Sequence, residues 1–144
     1  MIHITPATQC HVEAIYHIES LCFPDPWSTS AIAHEIEHAI FLVAVDEQGI
    51  VRGHVSMRHI IDEGHISNIA VHPHFQQKGI GHQLLASLSQ TASEKKITAL
   101  TLEVRESNKA AIHLYTCHGF TPEGFRKNYY SMPTETGVIM WKNL

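Results

Sequence analysis

The chain has 144 residues, 44% of them apolar, and a formal net charge of −4. That length suits one domain, residues 1–144, with a core that needs no disulfide or metal staple. The negative balance excludes a general nucleic-acid binder, which needs a basic face to neutralise phosphates, and suits a basic peptide or protein partner.

The pattern of elements begins with a short strand over residues 1–5, stopped by Pro6. Residues 8–22 carry Val12, Ile15, Ile18 and Cys22 at helical spacing and read as an amphipathic helix. Phe23-Pro24-Asp25-Pro26-Trp27 cannot continue it, and Ser28 can cap a second helix through about His38. Residues 41–45 and 50–58 read as strands, with Asp46-Glu47-Gln48-Gly49 as the hairpin loop between them. A strand over 64–71, a helix over 79–95 and a strand over 97–104 form a right-handed crossover between parallel strands. Ser107 is the expected cap of a helix through Cys117, with Gly119 as its left-handed terminator. A strand region from Phe120 is broken by Pro122 and Gly124, Pro133 marks a loop, and residues 138–141 form the last strand. The order is β-α-α-β-β-β-α-β-α-β-β, a mixed α/β sheet with helices on its faces.

Three scattered cysteines, Cys10, Cys22 and Cys117, form no Cys-x-x-Cys pair and suggest reduced thiols in the cytoplasm. Residues 1–6 lack the basic start and apolar run of a signal peptide, and no stretch approaches the roughly 20 apolar residues of a membrane span. No membrane partner is expected.

Residues 66–85 join an apolar, β-branched strand to a helix through a basic loop with two glycines. Main-chain N–H groups at such a helix start have no intrahelical partner, and the helix dipole favours negative charge there. The loop Gln76-Gln77-Lys78-Gly79-Ile80-Gly81 is not a Walker loop, because no Gly-Lys-Ser/Thr follows. Nor is it a dinucleotide fingerprint, because Leu84 stands where the third glycine belongs. By itself a Gly-x-Gly loop is as consistent with a bare helix start as with a phosphate site.

In context, residues 66–85 resemble the acyl-coenzyme A motif of the GNAT N-acetyltransferases, whose loop reads Gln/Arg-x-x-Gly-x-Gly/Ala. Further blocks narrow the likeness: Tyr16-His17-Ile18-Glu19, Phe23-Pro24-Asp25-Pro26-Trp27-Ser28, Asn68-Ile69-Ala70-Val71, Leu102-Glu103-Val104-Arg105-Glu106-Ser107-Asn108, Ala110 to Tyr115, Gly119-Phe120 and Arg126 to Tyr130. Together they resemble the RimI-type ribosomal-protein N-terminal acetyltransferases. The resemblance implies a seven-stranded, mostly antiparallel mixed sheet splayed between its fourth and fifth strands, with acetyl-CoA as co-substrate and no metal. The implied acceptor is the N-terminal alanine of small-subunit ribosomal protein eighteen, and a monomer is expected.

The resemblance also implies roles. Glu103 is the general base, acting directly or through a water, and Tyr115 is the general acid at the departing sulfur. The cofactor falls to Ile69, Ala70, Val71, Gln76, Gln77, Lys78, Gly79, Ile80, Gly81, His82, Asn108 and Ala111. The incoming peptide falls to Phe23, Trp27, Tyr129 and Tyr130. The chemistry is consistent: an α-amino group has a pKa of about 7.7–8.0 against about 10.4 for lysine, so a modest base suffices. Without the family, Glu103 is an ordinary carboxylate at a strand end and Tyr115 a half-buried core aromatic. Phe23 and Trp27 would staple the helix pair, and Cys117 would be a core thiol. Residues 135–137 depart from the pattern, reading Glu-Thr-Gly where many relatives have Glu-Asp-Ala.

One competing motif is present. His34-Glu35-Ile36-Glu37-His38 fits His-Glu-x-x-His, the zinc-protease signature, but 13 histidines raise the chance of an accidental match and no third ligand is evident. Other classes to be weighed are a broader N-terminal or small-molecule amine acetyltransferase and a non-catalytic acyl-CoA-binding module.

Overall fold

The computed structural model describes residues 1–144 and contains one seven-stranded sheet of order β1-β2-β3-β4-β5-β7-β6. Its strands are β1 (His3–Pro6), β2 (Ile40–Val45), β3 (Val51–Ile60), β4 (Glu63–Val71), β5 (Ala99–Arg105), β6 (Thr121–Tyr130) and β7 (Glu135–Asn143). The helices are α1 (Val12–Cys22), α2 (Thr29–His38), α3 (Ile80–Glu94) and α4 (Lys109–Cys117). Every neighbouring pair is antiparallel except β4 and β5.

Strand alternation divides the core between the two faces of the sheet. Leu42 and Ala44 of β2 join a cluster with Leu84, Leu85 and Leu88 of α3, Tyr115 of α4 and Leu100, Leu102 and Val104 of β5. Phe41 and Val43, one position out of phase, join Ile15 and Ile18 of α1 and Ile32 of α2. Side chains along a strand point alternately to opposite faces, so α1 and α2 cover one face while α3 and α4 cover the other. No helix is long and apolar enough to cross a membrane.

The largest departure from regularity lies in β4. Met57 pairs with Ile66 and Ser56 with Asn68, so Ser67 is an extra residue with no partner on β3. Such a bulge bends a strand and inverts its alternation. Ile66 packs on the α3 side, whereas after the bulge Ile69 and Val71 pack there and Ala70 packs with α1. The parallel ladder with β5 runs only from Glu63↔Ala99 to His65↔Thr101 and stops at the bulge. Beyond it β4 and β5 part, leaving the β5-facing edge of residues 66–71 without a strand partner.

Several expected boundaries shift. The first helix begins with a 3-10 turn over Gln9–His11 before α1 proper. Pro6 lies inside β1, and Pro122 and Gly124 lie inside β6; both are edge strands, where a missing N–H is tolerated, and a register shift leaves Glu123 as an extra residue between Pro122 and Gly124. The last strand runs over Glu135–Asn143, longer than expected, because β7 is paired on both sides. Ser28 caps α2 by accepting from Ala31 N at 3.1 Å, as expected. The cap of α4 is Asn108, not Ser107: Asn108 Oδ1 accepts from Ala111 N at 3.1 Å, while Ser107 N donates to Glu135 Oε2 at 2.6 Å. Gly119 ends α4 with φ +89°.

Candidate active site

The parting of β4 and β5 opens a cleft of about 1100 Å³ that runs from the α1–α2 connection, through the splay, to the start of α3. At its α3 end the loop turns on two positive φ angles, +61° at Gln77 and +86° at Gly79. Gly79 caps α3 without a side-chain bond, and the first intrahelical bond runs from Gln83 N to Gly79 O at 3.0 Å. The preceding N–H groups at the helix start are therefore free of intrahelical acceptors. A Cβ on Gly79 would meet nothing within 4 Å, whereas one on Gly81 would lie 3.0 Å from Leu114 Cδ2. The first glycine serves the turn and the second the close approach of α3 to α4. His82 faces His118, Nδ1 to Nε2 at 2.9 Å, an arrangement that needs one ring to donate and the other to accept.

Along the splay the β4 backbone is bonded to β3 on one edge and open on the other. The Val71 carbonyl is already engaged, accepting from Gln76 Nε2 at 3.0 Å and Cys22 Sγ at 3.3 Å. Burial, and then the nearby Glu19, push the Cys22 thiol upward in pKa.

Glu103 of β5 lies on the face away from Leu102 and Val104, 15% exposed at its side chain. Its Oε2 is 2.6 Å from Nε2 of His65 on β4. His65 was not singled out in the sequence; the pairing His65↔Thr101 places it beside Glu103, two residues further along the same face of β5.

On the opposite wall, Tyr115 is 5% exposed and packs edge-on to Phe120 at 5.8 Å between centroids. Burial, and then Tyr130, hold its hydroxyl well above the ordinary phenol range. Burial pushes Tyr130 up to about 12, with Tyr129 and Glu103 adding to it. Arg105 stacks on Tyr130 at 4.6 Å and donates to the carbonyls of Ser131 and Pro133, each at 2.9 Å, fastening the β6–β7 turn over the cleft. Bonds from Ser107, with help from Arg105, hold Glu135 below the usual carboxylate range.

The cleft gathers Phe23, Trp27, Ile69, Ala70, Val71, Gln76, Gln77, Gly79, Ile80, Gly81, His82, Glu103, Asn108, Ala111, Tyr115 and Tyr130. Phe23 and Trp27 also pack against the α1–α2 core, so stapling and lining coexist. Lys78 and Tyr129 do not line the cleft: Lys78 Nζ lies 5.4 Å over the Phe75 ring, and Tyr129 is 47% exposed. At the departure from the family pattern, a Cβ on Gly137 would come within 3.1 Å of Tyr129 and 3.3 Å of Tyr130, so the glycine gives that pair room.

One expectation changes. Cys117 is not a core thiol; it ends α4 exposed, its Sγ 3.6 Å from His113 Nε2. In the His-Glu-x-x-His stretch, His34 and His38 stack at 4.1 Å on the exposed side of α2, whereas Glu35 is buried and accepts from Arg58. Nowhere are three or more His, Cys, Asp or Glu side chains gathered to hold a metal.

Residues 12–120 match the model of the acetyltransferase (GNAT) family. The [ribosomal protein bS18]-alanine N-acetyltransferase of Escherichia coli K12 is 36% identical over 124 residues, spanning 86% of this chain and 82% of that protein. The Haemophilus influenzae protein of the same description is 34% identical over 140 residues, 95% of each chain. The crystal structure of the ribosomal-protein-S18-alanine N-acetyltransferase from Escherichia coli superposes with a TM-score of 0.92 at 32% identity, covering 99% of this chain and 94% of that one.

Proposed function

The chain belongs to the GNAT acetyltransferase family, and on that premise we propose that it acetylates the N-terminal α-amino group of a protein. The acceptor is the N-terminal alanine of ribosomal protein S18, and the donor is acetyl-CoA. The observation that carries this reading is the near full-length likeness to the Haemophilus influenzae bS18-alanine N-acetyltransferase. The site supports it: a cleft with an open strand edge in its middle, free N–H groups at one end and aromatic side chains at the other.

Acetyl-CoA supplies the acetyl group as a thioester. The start of α3, with Gln76, Gln77 and Gly79 to His82, binds the negative charge of the cofactor at helix-terminal N–H groups. The main-chain groups of Ile69 and the Val71 N–H, which point away from β3, offer the open edge of β4 to the extended arm, while Ala70 is paired with His54. An N–H there, aimed at the thioester oxygen, contributes a few kcal/mol to transfer. Asn108 and Ala111, at the start of α4, close the cofactor's other side; the Asn108 carboxamide oxygen is committed to its helix cap.

Phe23, Trp27 and Tyr130 flank the incoming N-terminus. Glu103 removes the proton of the amine, directly or through a water. His65 holds Oε2, so Oε1 is the oxygen left to take that proton. Tyr115 gives its proton to the departing thiolate. Burial keeps that hydroxyl protonated, which is the state a donor needs. The exposed Cys117 has no part in this direct attack. A monomer acting in the cytoplasm on a newly made ribosomal protein completes the reading.

Mass spectrometry of S18 co-produced with and without this chain tests the assignment. The expected product is S18 heavier by one acetyl group at its N-terminal alanine; an unmodified N-terminus in both samples refutes it.

A further inference from the structure

Glu19 has 1% of its surface exposed, yet it borders the cleft and has no part in the transfer described above. It stands in the last turn of α1, where its main-chain carbonyl accepts from Phe23 N at 2.9 Å. Its Oε1 accepts from Trp27 N at 3.4 Å. The segment between reads Phe23-Pro24-Asp25-Pro26-Trp27, and its prolines carry no N–H, so only three main-chain donors remain. Two of those three end on Glu19.

The other carboxylate oxygen reaches across to the sheet. Oε2 accepts from Asn68 Nδ2 at 2.6 Å and lies 3.1 Å from Nε2 of His54, which is fully buried on β3. Asn68 follows directly on the Ser67 bulge, and the inverted alternation is what turns its side chain toward α1. One buried carboxylate thus joins the loop that carries Phe23 and Trp27 to the strand whose open edge forms the floor of the splay. A carboxylate kept from water depends on such partners, so the link resists breaking.

We propose that Glu19 is a positioning residue that sets the distance between the acceptor wall of the cleft and the cofactor strand. It thereby decides how deeply an incoming N-terminus seats. The inference rests on the reading of loop 23–27 as the acceptor wall. A displacement of about 1 Å at a reacting pair is enough to lower a rate roughly a hundredfold, so a tether of this kind is felt in the acceptor terms of the kinetics.

The test uses Glu19→Gln, which keeps the shape and removes the charge, and the reversed pair Glu19→Gln with Asn68→Asp, which rebuilds an amide–carboxylate bond. Losing a hydrogen bond to a charged group is expected to lower kcat/KM for an N-terminal peptide about tenfold in the single variant, with the KM for acetyl-CoA little changed. The reversed pair recovers most of that loss. Amide exchange read by mass spectrometry over residues 23–28 and 66–71, without substrate, is faster in the single variant and slowed again in the reversed pair. Unchanged exchange and kinetics in Glu19→Gln overturn the inference. So do equal losses for both substrates with no recovery in the reversed pair. If the unaltered protein fails to acetylate the peptide at all, the functional reading falls, and the exchange measurement still decides whether Glu19 holds the loop to the strand.

Discussion

Glu103 and Tyr115 face the cleft from β5 and α4, and their surroundings suit them to opposite proton transfers. Glu103 is partly open to solvent and tied at one oxygen, whereas Tyr115 is sealed among apolar side chains. Tyr115→Phe should lower kcat by about a hundredfold or more, the usual range for a lost general acid, with little change in the KM for acetyl-CoA; steady-state kinetics on both substrates checks this. Because burial raises the Tyr115 hydroxyl above its ordinary value near 10, the group holds its proton across the assay range. The kcat profile should therefore show no alkaline fall from Tyr115 below about pH 10. A fall near pH 8.5 that disappears in Tyr115→Phe would contradict the burial-raised value, while a wild-type rate in Tyr115→Phe would contradict the acid role. Glu103→Gln should move the kcat/KM profile to higher pH, because only an amine that is already neutral would then react. The place of both residues in the cleft was legible because each stands in a local block of the family pattern. His65 was not, because its contact with Glu103 spans 38 residues and follows from strand register.

At the scale of the element, the Ser67 bulge does most to make the site. It ends the parallel ladder, frees the β4 edge and turns Asn68 toward α1. The sequence carries its trace: Ile66, Ile69 and Val71 are apolar on one face at an interval of three and then two, which a regular strand cannot accommodate. Gly64 lies just before it, where a Cβ would stand 2.8 Å from Leu100 Cδ2 and closer still to the Met57 side chain. Gly64→Ala should destabilise the fold by about 1–3 kcal/mol through overpacking, read by denaturant titration. Gly79→Ala meets no clash but must hold φ +86°, and should cost about 1–2 kcal/mol and raise the KM for acetyl-CoA. The Ser28 cap and the Gly119 terminator were legible because they act within a few residues. The exchange of Ser107 for Asn108 as the α4 cap depends on Glu135, 28 residues away, which takes the Ser107 N–H. Likewise Pro122 cannot announce its edge position, since strand order is a property of the assembled sheet.

Over the whole molecule, two apolar layers clasp the sheet, and α3 and α4 lie on the face opposite α1 and α2. The succession of seven strands and four helices along the chain was legible because helical and strand periods alternate cleanly, whereas the exchange of β6 and β7 in the sheet was not. The cleft between the halves was legible only through the family likeness, because no single segment contains it. The molecule also carries a pH signature. His72 and His118 both have depressed values, the first through burial and its neighbours His74, His17 and Arg52, the second through burial, His82 and Lys142. The unfolded chain then binds more protons than the folded one as pH falls below about 6.5, so that stability is present above this value and lost as pH drops through the folded values. Thermal melts should show Tm falling from pH 7 toward pH 5, and His118→Asn should flatten part of that slope. All three scales serve one reaction, transfer of acetyl to a protein N-terminus. The direct measurement offers the protein three acceptors with acetyl-CoA: a peptide with the S18 N-terminus, the same peptide blocked at its N-terminus but carrying an internal lysine, and a polyamine. Acetylation confined to the first is the predicted result, and equal rates on all three would contradict it.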